Sequence, residues 1–307
     1  MVHEYALEPE LVAAWCNRHD FRYFFEKFGL GQPRIVSRYP KPWKRLVWEA
    51  FRSGDDFDRA RMTELLARLS ERMVNRRNYV WEPVHPWLQN AQDEHARVPF
   101  HAILARVNST NHPGTLTSDG LSDATPLWAA PHGVAVVRSP DAMAARVVAM
   151  LRIAEVVIFV DPYFRPQEPR HRRPLEAFLR AIMTGRPIAG PSRVEVHTSL
   201  KYANAARPDF FLSECQKHLS RCIPEGLQIA VLVLSEKGGG EGLHNRYILT
   251  DVGGVKFGVG LDDGADGATD DVNLMDRAQY EKRWSQHTAE PLAFDLVEAR
   301  IEIRSRR

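Results

Sequence analysis

One stretch of the sequence, residues 242–251, carries three side chains able to act on a phosphate group: His244, Arg246 and Asp251. The apolar residues among them predict a β-strand, and alternation along a strand puts His244 and Arg246 on one face. An imidazole can attack phosphorus or transfer a proton, and a guanidinium can hold two phosphate oxygens. A carboxylate can fix the tautomer of an imidazole through its second ring nitrogen. The stretch therefore predicts a phosphate site, with His244 as nucleophile or proton donor, Arg246 as clamp and Asp251 as the group that orients His244.

The spacing of these residues resembles the His-x-Lys-x4-Asp signature of the phospholipase D superfamily, and it stands here as His244-x-Arg246-x4-Asp251. The resemblance implies a layered α/β domain with a mixed sheet. It also implies metal-independent phosphodiester cleavage through a phosphohistidine, without a cofactor. Two features depart from the family: an arginine replaces the lysine, and Gly258-Val259-Gly260-Leu261 stands where the family has Gly-Ser-x-Asn.

The family normally uses two such motifs, and this chain has one. Small single-motif relatives form homodimers that bring two motifs to one interface. Many of them have a defence-like character, so the resemblance implies a nuclease acting on foreign DNA or RNA, with partner proteins of a multi-component system also possible. The alternative is a catalytically degenerate module that binds phosphate groups or partner proteins without cleavage.

A second group of polar residues follows the apolar run 156–160, which predicts a buried parallel strand. Asp161 ends this run, and the strand resembles the first half of a phospholipase D-like domain. We expect Asp161 to support the catalytic histidine, or else to form a turn before Pro162. A basic loop follows directly and predicts a positive cleft for a phosphodiester; its cations are Arg165, Arg170, Arg172 and Arg173.

A third basic segment lies near the N-terminus and includes Arg38, Lys44 and Arg45. Its two aromatic residues, Tyr39 and Trp43, are of the kind that stack on nucleic-acid bases, so the segment resembles a phosphate-contacting surface. A solvated loop leading into a helix is the alternative.

Two other interpretations compete with the phospholipase D resemblance. In one, His244 and Arg246 lie on a solvated edge strand with Asp251 paired to Arg246. In the other, the chain resembles a restriction-type nuclease that needs Mg²⁺, through the residues Asp161, Glu195 and Lys201. His197 would then either line the same face of the sheet as Asp161 or lie in the core.

The elements that position these residues divide the sequence into two domains. Helical spacing of apolar residues predicts an all-helical N-terminal domain over residues 1–110. Residues 111–127 are rich in Asn, Ser, Thr, Gly and Asp and predict a linker. Alternating strands and helices over residues 128–307 predict the phospholipase D-like α/β domain.

Bulk composition narrows the class of protein. The chain has 307 residues, 44% of them hydrophobic, and a net charge of +2, so a nucleic-acid surface requires local clustering of cations. Three cysteines predict neither a disulfide framework nor a metal site. With no apolar stretch of about 20 residues, the sequence predicts a cytoplasmic protein that is not membrane-bound.

Overall fold

The computed structural model describes residues 1–51, 54–119, 121–201 and 207–306, and its contacts divide the chain into two units. One unit comprises residues 2–131, and the other comprises Met1 with residues 132–307. Both have an α/β architecture. Among the described residues, no helix has both the length and the apolar character needed to cross a membrane.

The N-terminal unit is built on a five-stranded parallel sheet. Its strands are β1 (His3–Leu7), β2 (Arg34–Ser37), β3 (Met73–Val74), β4 (Ala102–Ala105) and β5 (Thr115–Thr117). Its helices are α1 (Pro9–Ala14), α2 (Arg18–Lys27), α3 (Trp43–Ala50), α4 (Asp56–Leu69) and α5 (Trp87–Arg97). The strand order is β3-β2-β1-β4-β5, which is the order of a doubly wound α/β sheet.

Apolar side chains cover both faces of this sheet. Tyr5 and Leu7 belong to the cluster formed with α1 to α4, whereas Ala6 and Ile103 pack with α5. A buried arginine ties the unit together: Arg76 donates hydrogen bonds to both carboxylate oxygens of Glu4 and to Glu94, each at 2.8 Å.

The prediction of an all-helical N-terminal domain is therefore wrong. The strands span two to five residues and are almost entirely buried, so they show no alternation of polar and apolar side chains. Apolar runs this short also fit a helical period, and within the region expected to be all helical α5 is followed directly by β4.

The predicted linker, 111–127, lies within this same unit. Strand β5 falls inside it and pairs with β4, and the Tyr5 hydroxyl donates a hydrogen bond to the Leu127 carbonyl at 2.7 Å. Gly120 lies outside the described residues. Polar composition indicated a linker here because β5 is short and only partly buried.

The C-terminal unit is built on a mixed sheet, as predicted. Its strands are β6 (Gly133–Val137), β7 (Val156–Val160), β8 (Arg193–Thr198), β9 (Gln228–Ser235), β10 (Arg246–Thr250), β11 (Gly253–Phe257), β12 (Thr269–Leu274), β13 (Asp295–Leu296) and β14 (Ile301–Arg304). Its helices are α6 (Pro140–Leu151), α7 (Pro169–Met183), α8 (Pro208–Leu219) and α9 (Arg277–Thr288). The order is β13-β9-β8-β7-β10-β11-β12-β6, with β14 also pairing β9.

Helices α7 and α9 cover opposite faces of this sheet. Phe159 on β7 stacks on Phe178 of α7 with ring centroids 5.7 Å apart, and Phe178 also meets Phe257 on β11. On the other face, the Tyr280 hydroxyl of α9 donates to the Thr250 carbonyl at 2.7 Å. Arg246 is the register partner of Phe257, so Arg246 belongs to the α7 face.

Candidate functional site

The start of β10 meets the end of β7, because these two strands pair antiparallel. Tyr247 pairs with Val160, and extending that register by one residue places Arg246 directly across from Asp161. Side chains at directly opposed positions have Cβ atoms about 5 Å apart and share a face. The structure thus brings together two of the predicted site residues, Arg246 and Asp161.

The guanidinium of Arg246 is held by an aromatic ring. It lies 4.5 Å from the centroid of the Tyr163 ring, a cation–π contact that leaves its N–H donors available. Its Nε is buried and has no hydrogen-bond partner among the described residues. A buried donor without a partner is costly, and an anion bound here would satisfy it.

Asp161 is a buried carboxylate, with 3% of its surface exposed. Burial raises the pKa of Asp161 to about 6. The backbone N–H of Tyr163, which donates to the carboxylate at 3.0 Å, opposes this rise, as do the charges of Arg246 and Arg165, while Asp262 adds to it. A carboxyl group with this pKa can exchange a proton close to neutral pH.

The four cations of the predicted basic loop lie before and within the first turn of α7. Arg165 is buried and donates to the Phe164 carbonyl at 2.7 Å. The other three contact side chains outside that turn. Arg170 contacts Glu168 at 2.8 Å and Asp262 at 3.7 Å. Arg173 contacts Asp263 at 3.8 Å, and Arg172 contacts His218 at 2.8 Å.

The loop after β11 occupies the place of the missing Ser and Asn. Asp270 on β12 holds it, accepting hydrogen bonds from the backbone N–H groups of Val259 at 2.9 Å and Gly260 at 3.4 Å. Leu261 is buried and lines a cavity of about 10 Å³ together with Asp161 and His171. That space holds about one water molecule and no phosphate.

His171 is a buried histidine on this side of the site. Neither of its ring nitrogens has a hydrogen-bond partner among the described residues. Burial lowers the pKa of His171 to about 4, so the imidazole is neutral at physiological pH.

His244 lies just before β10 rather than within it, and it is exposed. Its neighbour is the loop that begins at Glu236. A Cβ atom on Gly242 would lie 3.2 Å from His244 Nδ1 and 3.7 Å from Glu236 Oε1. The exposed imidazole can therefore reach an anionic ligand in solvent, with one ring nitrogen directed toward this loop.

The role predicted for Asp251 is wrong. Its carboxylate accepts hydrogen bonds from the backbone N–H groups of Glu155 and Val156, at 2.8 and 2.9 Å, where β7 begins. The five residues of β10 separate it from His244 by roughly 16 Å at about 3.3 Å per residue. Burial raises the pKa of Asp251, and those two N–H groups oppose the rise. Asp251 secures the sheet at the opposite edge from His244.

The basic segment Arg38, Lys44 and Arg45 belongs to the N-terminal unit. All three side chains are exposed; Arg38 donates to the Lys41 carbonyl at 2.9 Å, and Arg45 pairs with Glu49 at 3.2 Å. The aromatic residues predicted to stack on bases, Tyr39 and Trp43, are both fully buried. Stacking by these two rings is therefore ruled out, while the cations remain accessible.

The restriction-type arrangement does not form. Glu195 and His197 lie on the α9 face, because Val196 between them packs beside Phe159 on the α7 face with Asp161. His197 is a core histidine: its ring nitrogens lie 2.8 Å from Glu195 and 2.9 Å from His287 Nδ1. Within the described ranges, no cluster of three His, Cys, Asp or Glu side chains has the arrangement of a metal site.

Three residues of this region carry no assignment from the sequence: Tyr163, Asp262 and Glu236. An aromatic residue two positions after a strand-ending aspartate is a weak signal for the Tyr163 contact. Asp262 follows the altered Gly-Val-Gly-Leu segment and bonds Arg138 at 2.6 Å. Glu236 begins a glycine-rich loop, which is a weak signal, and only the fold shows that the end of β9 lies beside His244.

Comparison with known proteins adds little to this geometry. No protein-family model matches the sequence. No curated protein matches it either. Among solved structures, the chain is similar to TrmBL2, described as an archaeal chromatin protein with a novel mode of DNA binding. The match has 12% identity and a TM-score of 0.28, and it covers 58% of this chain and 57% of that chain, so it supports no conclusion on fold or function.

Proposed function

We propose that the C-terminal unit is a phospholipase D-like domain that binds a phosphodiester group of nucleic acid where β10 begins, and that His244 cleaves it without a metal ion. The observation that carries the proposal is the state of Arg246. Its guanidinium is fixed on Tyr163, its buried Nε lacks a partner among the described residues, and it lies across from Asp161. An arginine held in this way is suited to clamp two phosphate oxygens.

The chemistry follows from the positions of the side chains. A ring nitrogen of His244 attacks phosphorus and forms a P–N bond as the P–O bond to the leaving oxygen breaks, and water then releases the phosphoryl group. The leaving oxygen needs a proton. A second copy of the chain would bring a second His244 to one shared site, so a homodimer is part of the proposal.

A cleft beside α7 supports a polymeric substrate. It has a volume of about 490 Å³ and lies between the first turn of α7 and the end of α8. Its lining is rich in cations: Arg172, Arg173, Lys217 and Arg221, with His218. Arg170 lies one helical turn before Arg173 and contacts Asp262, whose charge acts on Asp161. The cations therefore extend from Arg246 toward this cleft. A single phosphate needs only one clamp, whereas a nucleic-acid backbone uses a row of cations.

Binding without cleavage is the second candidate, and one observation favours it. Val259 and Leu261 stand where the family has Ser and Asn, and Leu261 fills the space beside Asp161. In that case Arg246 and the row of cations hold nucleic acid or an acidic partner protein, and His244 contributes a hydrogen bond only.

The test is cleavage of labelled single- and double-stranded DNA and RNA in EDTA. The variants are His244→Ala and, as a matched control, His19→Ala, which changes an exposed histidine of the N-terminal unit. Cleavage by the native protein and by His19→Ala, but not by His244→Ala, is expected. Binding without cleavage supports the second candidate. Cleavage that appears only with Mg²⁺, or that survives in His244→Ala, contradicts the proposal.

A further inference from the structure

We propose that Glu236 is the carboxylate that positions His244, in the role that the sequence motif assigns to Asp251. The proposal rests on the proposed function of His244. It makes Glu236 a positioning residue, because it acts through the imidazole rather than on the phosphate.

The fold brings Glu236 to the correct edge of the sheet. It follows β9 directly, and β9, β8 and β7 are parallel, so their carboxyl ends share one edge. β10 runs antiparallel to β7, so the residues that precede it, including His244, start from that same edge. Asp251 follows β10 and lies at the other edge.

The carboxylate of Glu236 is held in place by two partners. Its Oε1 accepts a hydrogen bond from the backbone N–H of Leu243 at 2.8 Å, which ties it to the residue before His244. Both oxygens also accept from Lys201 Nζ, at 3.0 and 2.9 Å. The Leu243 N–H, then Lys201, then the charge of His244 lower the pKa of Glu236, so the group is ionised at neutral pH.

Gly242 keeps the space between Glu236 and His244 open. The position of a Cβ on this glycine borders both His244 Nδ1 and Glu236 Oε1, at 3.2 and 3.7 Å. His244 is exposed, so rotation of its ring can direct Nδ1–H to the carboxylate. That tautomer leaves Nε2 with its lone pair directed outward for attack on phosphorus.

The other charges around this loop are already paired. Glu241 is bound by Lys282 and by Arg283, the latter at 3.0 Å. Lys201 pairs with Glu236 at 2.9 Å. Glu236 is therefore the carboxylate whose charge acts most directly on His244.

The test is the tautomer of the neutral His244 imidazole, read from its ring ¹⁵N NMR shifts, which needs no activity and so fails or succeeds independently of cleavage. In the native protein we expect the Nδ1–H tautomer to be favoured, and in Glu236→Gln we expect its population to fall. The glutamine oxygen can still accept from Leu243 N–H, so the loop is retained. Lys201→Met removes a cation that competes for the carboxylate and should increase the population of the Nδ1–H tautomer. Asp251→Asn is the matched control and should leave it unchanged.

Two results would overturn the assignment. One is an unchanged population of the Nδ1–H tautomer of His244 in Glu236→Gln. The other is a shift in Asp251→Asn as large as that in Glu236→Gln. If cleavage is found, Glu236→Gln should also lower kcat while leaving KM nearly unchanged, because orientation of the nucleophile is lost but the phosphate clamp is not.

Discussion

Replacing Asp161 by Asn should stabilise the C-terminal unit, and the gain should grow with pH. Burial raises the pKa of Asp161 from 3.8 to about 6. The folded state therefore binds this proton more tightly than the unfolded state. The stability linked to that proton is fully present below pH 3.8 and is lost as pH rises through about 6. At pH 8 the buried charge of Asp161 destabilises the native protein, and the uncharged amide of Asn avoids that loss of stability.

The magnitude follows from the two pKa values. One pKa unit corresponds to about 1.36 kcal/mol, so the ionised Asp161 costs about 3 kcal/mol above pH 7. At pH 5 the cost is roughly half of that, since the folded carboxyl is mostly protonated and the unfolded one mostly ionised. The amide keeps an oxygen that can accept from Tyr163 N–H, and any constant cost of its NH₂ group cancels between pH values. The free energy of unfolding of Asp161→Asn relative to native should thus increase by about 1.4 kcal/mol from pH 5 to pH 8.

Hydrogen exchange of peptides from β7 and β10 under increasing urea, at both pH values, measures this difference within the C-terminal unit. A relative stability that is the same at pH 5 and pH 8, or that is lower at pH 8, would refute the reasoning that burial sets the proton affinity of Asp161.

Three further predictions test other parts of the structure. Arg76→Ala should destabilise the N-terminal unit by about 3–5 kcal/mol, because Glu4 and Glu94 would remain buried without their cation. Tryptophan fluorescence in urea measures this loss of stability, and a loss below about 1 kcal/mol would contradict the prediction. His171→Leu should add about 2 kcal/mol at pH 5 and little at pH 8, since a histidine with a pKa of about 4 when folded loses stability as pH falls below 6.5; an equal gain at both pH values in denaturation curves would contradict it. Asp251→Ala should cost about 1–3 kcal/mol in hydrogen exchange of β7 through two lost N–H partners, without changing nucleic-acid affinity, and a parallel loss of affinity would oppose that separation.

The sequence predicts the C-terminal unit better than the N-terminal unit, for a physical reason. β7 is a pure β-branched and aromatic run and was predictable, whereas the first turn of α7 contains cations that were expected in a loop. β2 and β4 have four residues each and are buried on both faces, so they lack the alternation that would distinguish them from helix.

The candidate site was likewise predictable only in part. The proximity of Arg246 to Asp161 was within reach, because each lies on or directly after a predicted strand of one sheet. The distance from His244 to Asp251 was also within reach, since residues that flank opposite ends of one strand cannot touch. The place of Glu236 beside His244 was not predictable. It depends on β9 running parallel to β7, and sequence spacing does not encode the relative direction of strands.

The central claim is that the edge containing Arg246 binds the phosphodiester backbone, and fluorescence anisotropy with a labelled oligonucleotide over a range of salt concentrations tests it most directly. The variants are Arg246→Ala and the matched control Lys256→Ala, a cation exposed on β11 beside Tyr247 rather than beside Arg246. We expect Arg246→Ala to weaken binding at least about tenfold and to reduce the slope of log K against log salt by about 1, with Lys256→Ala close to native. Equal affinity and equal salt slope for native protein and Arg246→Ala would contradict the claim.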